Sequence, residues 1–200
     1  MSIETDQRLN GWDLQSLQDT IATVEANPEA GRLTWRGRVN WDGHFGMDAH
    51  AEAIEQLGET IPRRFTLRGD HPPELLGQNT GPTAVETLLA ALGSCVAGTY
   101  AAHATAIGVR LDALEVRVES AIDLNGFLQL APTPAGLDGA RVTVRVRSDA
   151  DDATLDELRR IVTRASPVHD SLTRAGPVES AVERLYWRPA RRRGLPGHVP

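Results

Sequence analysis

The stretch TAVETLLAALGSCVAGTYAAHATAIG, residues 83–108, decides the fold. Val85, Leu88, Leu89, Leu92, Cys95, Val96 and Thr99 recur at helical spacing, which predicts a helix over roughly residues 83–107. A second stripe through Ala90, Gly93, Ala97, Ala101 and Ala104 is nearly all small and permits close approach by another element. A helix apolar on most sides is expected to be buried on most sides. This segment is therefore placed at the centre of the core.

Working outward, the preceding DHPPELLGQNTGP is punctuated by proline and glycine and reads as a loop. Before it lie three predicted strands. In RLTWRGRVNW, Leu33, Trp35, Val39 and Trp41 share one parity while Arg32, Arg36, Arg38 and Asn40 take the other, the pattern of a half-buried strand. Asp42-Gly43 is a turn signal, HFGMDAHA is the second strand of a hairpin, and Phe65 and Leu67 mark a third. Nearer the N-terminus, Leu14, Leu17, Ile21 and Val24 predict an amphipathic helix over about 12–26, ended by Asn27-Pro28. On the other side of the central helix, residues 109–123 and GARVTVRVRS alternate as strands, separated by a Pro/Gly loop at 124–139. Asp151 or Asp152 can cap a helix through Leu155, Leu158, Ile161 and Val162. Pro167 breaks it, a short helix follows, and VESAVERLYW is expected to be a last strand. The order predicts an α+β fold with a mostly antiparallel sheet, because regular crossover helices are absent. The division expected is a helical extension at 1–30, one domain at 31–187 and a disordered tail at 188–200.

Composition narrows the function classes. The chain has 200 residues, 40% of them apolar and 24% charged, with a formal charge of −6, which suits a soluble globular protein and not a dedicated nucleic-acid binder. All 21 basic residues are arginine, which removes Schiff-base chemistry and a phosphate-loop lysine. No unbroken apolar run approaches the roughly 18–20 residues of a membrane span, so no membrane partner is expected. The N-terminus is polar and acidic, and a cytoplasmic location is the expectation. A single cysteine excludes an internal disulfide and a multi-thiolate zinc site.

Cys95 is the first candidate for chemistry. It reads either as a buried structural thiol or as a reactive one needing positive charge nearby. It lies about twelve residues into its helix, too deep for that helix's own dipole to help. Glu86, nine residues earlier, falls about 13–14 Å away on the opposite face, and His103 about 12 Å away, so neither is a thiol base along one helix. His44, Asp48 and His50 share parity and could face one side as metal ligands, but the preferred reading is the solvated face of an edge strand, and no metal is assigned. Ser166, His169 and Asp170 resemble a hydrolytic set. Ser166-Pro167 reads more simply as an N-cap followed by proline at the first helical position. The run Arg191 to Arg193 is read as solvated.

LLGQNTGPTAVETLLAALGSC, the Gly108-started strand, DLNGF at 123–127 and RASPVHDSL at 164–172 together resemble the OsmC/Ohr superfamily, in the OsmC-like branch with an extra N-terminal helix, over roughly residues 31–186. The resemblance implies an OsmC-like fold, with antiparallel sheets wrapped around two long central helices in an intertwined homodimer whose active sites lie at the subunit interface. It also implies reduction of organic hydroperoxides by a helix cysteine, assisted by an arginine, a glutamate and a second, resolving cysteine. Cys95 falls on the peroxidatic cysteine. The resolving position is Ser166, the glutamate position is Val85 with Glu86 beside it, and the arginine position lies in WDGHFG near His44. Arg63, Arg64 or Arg68 could substitute for that arginine, and His71 or Glu74 could line the same cleft.

The implied function is a thiol-dependent hydroperoxide reductase with a one-cysteine mechanism, an external thiol as reductant and no cofactor. Two alternatives remain open: a non-redox protein that binds or transforms a small hydrophobic molecule at the dimer cleft, and a structural dimer with an inert Cys95.

Overall fold

A computed structural model describes residues 8–174 and 176–184. Twelve elements follow in order: β1 Arg8–Leu9, β2 Trp12–Asp13, α1 Leu14–Ala26, β3 Leu33–Gly43, β4 Gly46–Gln56, β5 Glu59–Gly69, α2 Ala84–Ala106, β6 Ala113–Glu119, α3 Leu124–Phe127, β7 Arg141–Arg147, α4 Asp152–Ala165 and α5 Pro167–Thr173. The fold is α+β, with an antiparallel meander β3-β4-β5 and two antiparallel pairs, β6-β7 and β1-β2.

Four of the five helices, α1 to α4, start at a side chain that caps a free amide of the first turn. Thr83 and Glu86 form a reciprocal capping box on α2, while Asp13 and Asp151 cap α1 and α4 through Ser16 N and Thr154 N. The core is narrow. Leu92, Val96, Tyr100 and Ala104 make a strict four-residue stripe on α2, and Leu158 and Val162 repeat that spacing on α4. Leu114, Val116, Val118, Val142 and Val144 of the β6-β7 pair close this core from a second side. Such i,i+4 ridges are the surfaces through which helices interdigitate.

The opposite face of α2 departs from expectation. Ala90, Ala91, Ser94 and Gly98 are exposed, so the helix is buried on one side and not on most. Gly93, expected on a helix-packing stripe, lies instead against the chain's own β6, where an added β-carbon would touch Val118 at 3.4 Å. By length and apolar content α2 also meets the requirement for crossing a bilayer, which no unbroken run had suggested; here one stripe of it forms the core.

The meander is sharply two-sided. Trp41 pairs with Met47, Val39 with Ala49, Ala49 in turn with Leu67, and Ala51 with Phe65, so these side chains share one face. The other face carries Arg36–Glu55 and Arg38–Glu52 ion pairs at 3.0 and 2.9 Å. The strand β3 is not half-buried as expected: the described residues leave most of its apolar face uncovered, with Trp35 69% and Trp41 73% exposed, while Ile54 of β4 is buried. β4 is the central strand and not an edge strand. The β3-β4 turn comes at His44-Phe45, one step after Asp42-Gly43, with His44 at φ 47°. Leu57-Gly58, with both φ values positive, makes the tight β4-β5 connection that suits the strand twist.

Three further expectations change. The strand predicted over 109–123 is confined to Ala113–Glu119, and the following loop contains α3. VESAVERLYW is not a strand over its described part: residues 178–184 pair with no strand among the described residues, and Leu185, Tyr186 and Trp187 lie outside them. The tail at 188–200 and its arginine run also lie outside them. The hairpin β1-β2 was unforeseen. It places Asn10, which donates to Thr105 Oγ1 and Val109 O and accepts from Leu111 N, so the chain's start clamps the exit of α2.

Between meander and α2 the loop is organised by Asp70, which is buried. Its carboxylate accepts from His71 N at 2.7 Å, Gln78 N, Thr80 N and Thr80 Oγ1 at 2.7 Å. The Thr80 hydroxyl and amide, with the other donors, hold its pKa well below the usual carboxylate range. Gly77 and Gly81 permit the tight wrap, since a β-carbon would strike the His71 carbonyl at the first and the Arg68 carbonyl at the second. Stability tied to a depressed carboxylate is present above its unfolded pKa and fades as pH falls through the folded one. Asp70→Asn is accordingly expected to lower the thermal midpoint by several degrees near neutrality. It should also remove part of the stability that the native protein loses below about pH 4. Melting curves of both proteins from neutral to acid pH check this; parallel curves would overturn it.

Candidate functional site

Cys95 sits one residue before Val96, so its side chain lies beside the core stripe and not within it. That direction meets the junction of α4 and α5. Ser166 ends α4 and begins α5, with Pro167 at the first helical position as the sequence predicted. Its side chain makes no capping bond. Instead Ser166 Oγ donates to Cys95 Sγ at 3.2 Å, and the Val168 amide donates to the same sulfur at 3.4 Å. Ser166 is completely buried, while Cys95 is half-buried. Among the described residues these two donors are the polar contacts of the thiol, and the Cys95 carbonyl accepts from Thr99 Oγ1 at 2.7 Å.

One side-chain donor and one backbone donor thus converge on this sulfur. The sequence missed the Val168 amide because backbone donors carry no residue signature. The Ser-Pro pair was the available signal, since it marks where a helix would present free amides. Proximity of position 166 to Cys95, which the resemblance implied, is present.

The hydrolytic set is excluded by its partners. Ser166 is turned to Cys95, Asp170 is held by Arg174 at 2.7 Å, and His169 Nδ1 is buried with no hydrogen-bond partner. Arg174 keeps the Asp170 carboxyl below its usual range.

The remaining candidates gather elsewhere. Arg68 on β5 donates to Asp42 Oδ2 at 2.6 Å, to Asp48 at 3.3 Å and to Thr80 Oγ1 at 3.2 Å. Thr80 in turn binds Asp70, so one polar chain runs from the β3-β4 hairpin to the loop before α2. His71 stacks on Phe45 with ring centroids 4.0 Å apart. Glu86 is the capping carboxylate of α2, lowered in pKa first by the Thr83 amide, with His71 adding a smaller charge effect. Arg63 lies over the Phe65 ring at 4.8 Å. Arg64 is exposed on β5, and Glu74 sits in a short 3-10 turn, Pro73–Leu75. His44 occupies the hairpin tip, where its carbonyl accepts from Trp41 Nε1. His50 bonds Thr66 and Asp48 takes Arg68, so the proposed three-residue face of His44, Asp48 and His50 is not a converging ligand set. Within one chain none of Arg63, Arg64, Arg68, His44, His71, Glu74 or Glu86 bonds the Cys95 thiol.

A family model described as OsmC-like protein matches residues 77–181, a little over half the chain and all of the Cys95 site. No curated protein matches. Among solved structures, an OsmC-like protein from Mycoplasma pneumoniae superposes with TM-score 0.53 at 19% identity, covering 71% of this chain and 87% of that one. An OsmC-like protein of unknown function from Vibrio cholerae gives 0.51 at 10% identity, covering 69% and 92%. An organic hydroperoxide resistance protein OsmC from Legionella pneumophila gives 0.50 at 14%, covering 70% and 88%. At these identities the structures establish the fold, and the extent of the family match establishes kinship. The chain belongs to the OsmC-like protein family.

Proposed function

We propose that this protein is a thiol-dependent hydroperoxide reductase that works through Cys95 alone. The observation that carries the reading is the pair of donors on Cys95 Sγ, from Ser166 Oγ and Val168 N. The hydroperoxide resistance protein among the structural neighbours supports the substrate class. In the proposed cycle the Cys95 thiolate attacks the outer oxygen of an organic hydroperoxide. An S–O bond forms, the O–O bond breaks, and the alkoxide takes a proton and leaves as alcohol. The resulting sulfenic acid, oxidised by two electrons, is attacked by a small external thiol, expelling water and giving a mixed disulfide. A second thiol displaces Cys95 and carries away the two sulfurs as a small-molecule disulfide. A cytoplasmic location would supply such thiols.

The working unit in this reading is a homodimer. The exposed apolar face of the meander and the uncovered small-residue face of α2 are both surfaces that a second copy would bury. Arg63, Arg64, Arg68, His44, His71 and Glu74, which do not reach Cys95 in their own chain, would then approach the partner's thiol across the interface. A non-redox ligand-binding role is favoured by one separate observation. A half-open cleft of about 440 Å³ lies beside Val96 and is walled by Val142, Val144, Leu155, Val162 and His169.

Sedimentation is expected to show a dimer at micromolar concentration. Replacing both Trp35 and Trp41 by arginine should shift it toward monomer; a monomeric native protein would remove the interface from the mechanism.

Cumene hydroperoxide should consume one thiol per chain, with sulfenic acid trapped by a nucleophilic probe and then sulfinic acid under excess oxidant, because no second thiol intercepts it. Mass spectrometry reads each product. A Cys95 that never reacts would overturn the peroxidase reading in favour of ligand binding.

Ser166→Cys should restore a resolving thiol, because the present oxygen already lies 3.2 Å from Cys95 Sγ. The variant is expected to close a disulfide and resist over-oxidation; over-oxidation at the native rate would count against the site as drawn.

A further inference from the structure

We infer that the Ser166 hydroxyl is itself a catalytic group, the donor that holds Cys95 in its nucleophilic thiolate form, and not an inert remnant of a resolving position. The inference rests on the peroxidase reading for its use and on local geometry for its substance. A serine at a helix N-cap ordinarily accepts a hydrogen bond from the second or third backbone amide of that helix. Ser166 occupies this position and makes no such bond. The second amide of α5, that of Val168, does not turn back to Ser166 either. Both halves of an ordinary cap are aimed at one atom, Cys95 Sγ, at 3.2 and 3.4 Å.

Burial sharpens the point. Ser166 is fully removed from water, so its hydroxyl proton has no solvent partner, and the structure gives it the sulfur instead. A neutral thiol is a weak acceptor and would leave this buried donor poorly satisfied. A thiolate accepts strongly and would satisfy the hydroxyl and the amide together. In the peroxide step the same two donors face the atom on which electron density is greatest before attack. The family arrangement asks an arginine to favour the thiolate. Among the described residues no arginine bonds Cys95, and Ser166 offers within the chain what that residue would supply across the interface.

The test uses the full-length protein without peroxide. Alkylation of Cys95 by iodoacetamide at one fixed neutral pH reports the availability of its thiolate. Ser166→Ala and Ser166→Gly remove the hydroxyl, the glycine variant keeping a residue favourable at an N-cap; Ser166→Thr retains it. Loss of one hydrogen bond to a charged sulfur reduces the thiolate fraction, partly offset by the greater intrinsic nucleophilicity of a more basic thiol. A net slowing of about three- to tenfold is expected for Ala and Gly. Ser166→Thr should restore most of the native rate. Cys95→Ser gives the blank. Thermal melts identify which variants are folded, and any folded hydroxyl-free variant decides the matter. A folded Ala or Gly variant that alkylates at the native rate overturns the inference.

Reaction with cumene hydroperoxide separates this inference from the reading beneath it. Slowed alkylation in the hydroxyl-free variants, with parallel slowing of peroxide-driven thiol loss, upholds both. Slowed alkylation in a protein whose native Cys95 ignores peroxide upholds the donor role and overturns the peroxidase reading. Native-rate alkylation with normal peroxide consumption does the reverse.

Discussion

The packing of α2 on α4 is the contact on which the site depends. Leu92, Val96, Tyr100 and Ala104 meet Leu158 and Val162, and every other feature of the Cys95 environment follows from that seam. Because Ser166 closes α4 directly after this ridge, seating Val162 against α2 also carries Ser166 toward residue 95. The chemistry is thus fixed by hydrophobic matching between two helices far apart in sequence. Pro167 then starts α5, and the Val168 amide that follows faces back toward α2.

A second constraint acts on the part of the chain that precedes α2. The meander places its Arg36–Glu55 and Arg38–Glu52 pairs on the face opposite its tryptophans, and most of the tryptophan face is exposed. The ion pairs of Arg36 and Arg38 are exposed, and such pairs contribute modestly. The tryptophans and Phe65 on the other face are mostly exposed, the kind of apolar patch that marks an interaction surface. The polar chain from Asp42 through Arg68 and Thr80 to Asp70 fixes how the sheet enters the loop before α2. The meander is therefore a preformed unit, with its hairpin and loop side chains held in place.

The two halves place their functional groups differently. The α2-α4-α5 half holds the sulfur and its two donors and is complete within one chain. The meander half holds the arginines and histidines that the resemblance nominates, none of which bonds that sulfur, and its aromatic face is largely exposed.

The positions of α1, α2, α4 and α5, the three-stranded meander and the loop before α2 were legible because each rests on local rules: periodicity, capping side chains, and proline and glycine where the backbone must turn. Ser166-Pro167 was legible as a helix start for the same reason. The direction of the Ser166 hydroxyl was not. An N-cap serine has a local partner available, and only the approach of α2 supplies a competing acceptor in Cys95 Sγ. Likewise the alternation of Leu33, Trp35, Val39 and Trp41 predicted an apolar face without saying what would cover it, and that face is largely exposed. VESAVERLYW alternated well enough to read as a strand, yet a strand requires a neighbouring edge, and no edge among the described residues pairs with it. Period and capping are written in consecutive residues, and so the sequence by itself determined where the long helices and the meander form. Which side chain meets which across the fold depends on how those elements pack, and that the tertiary structure alone decided.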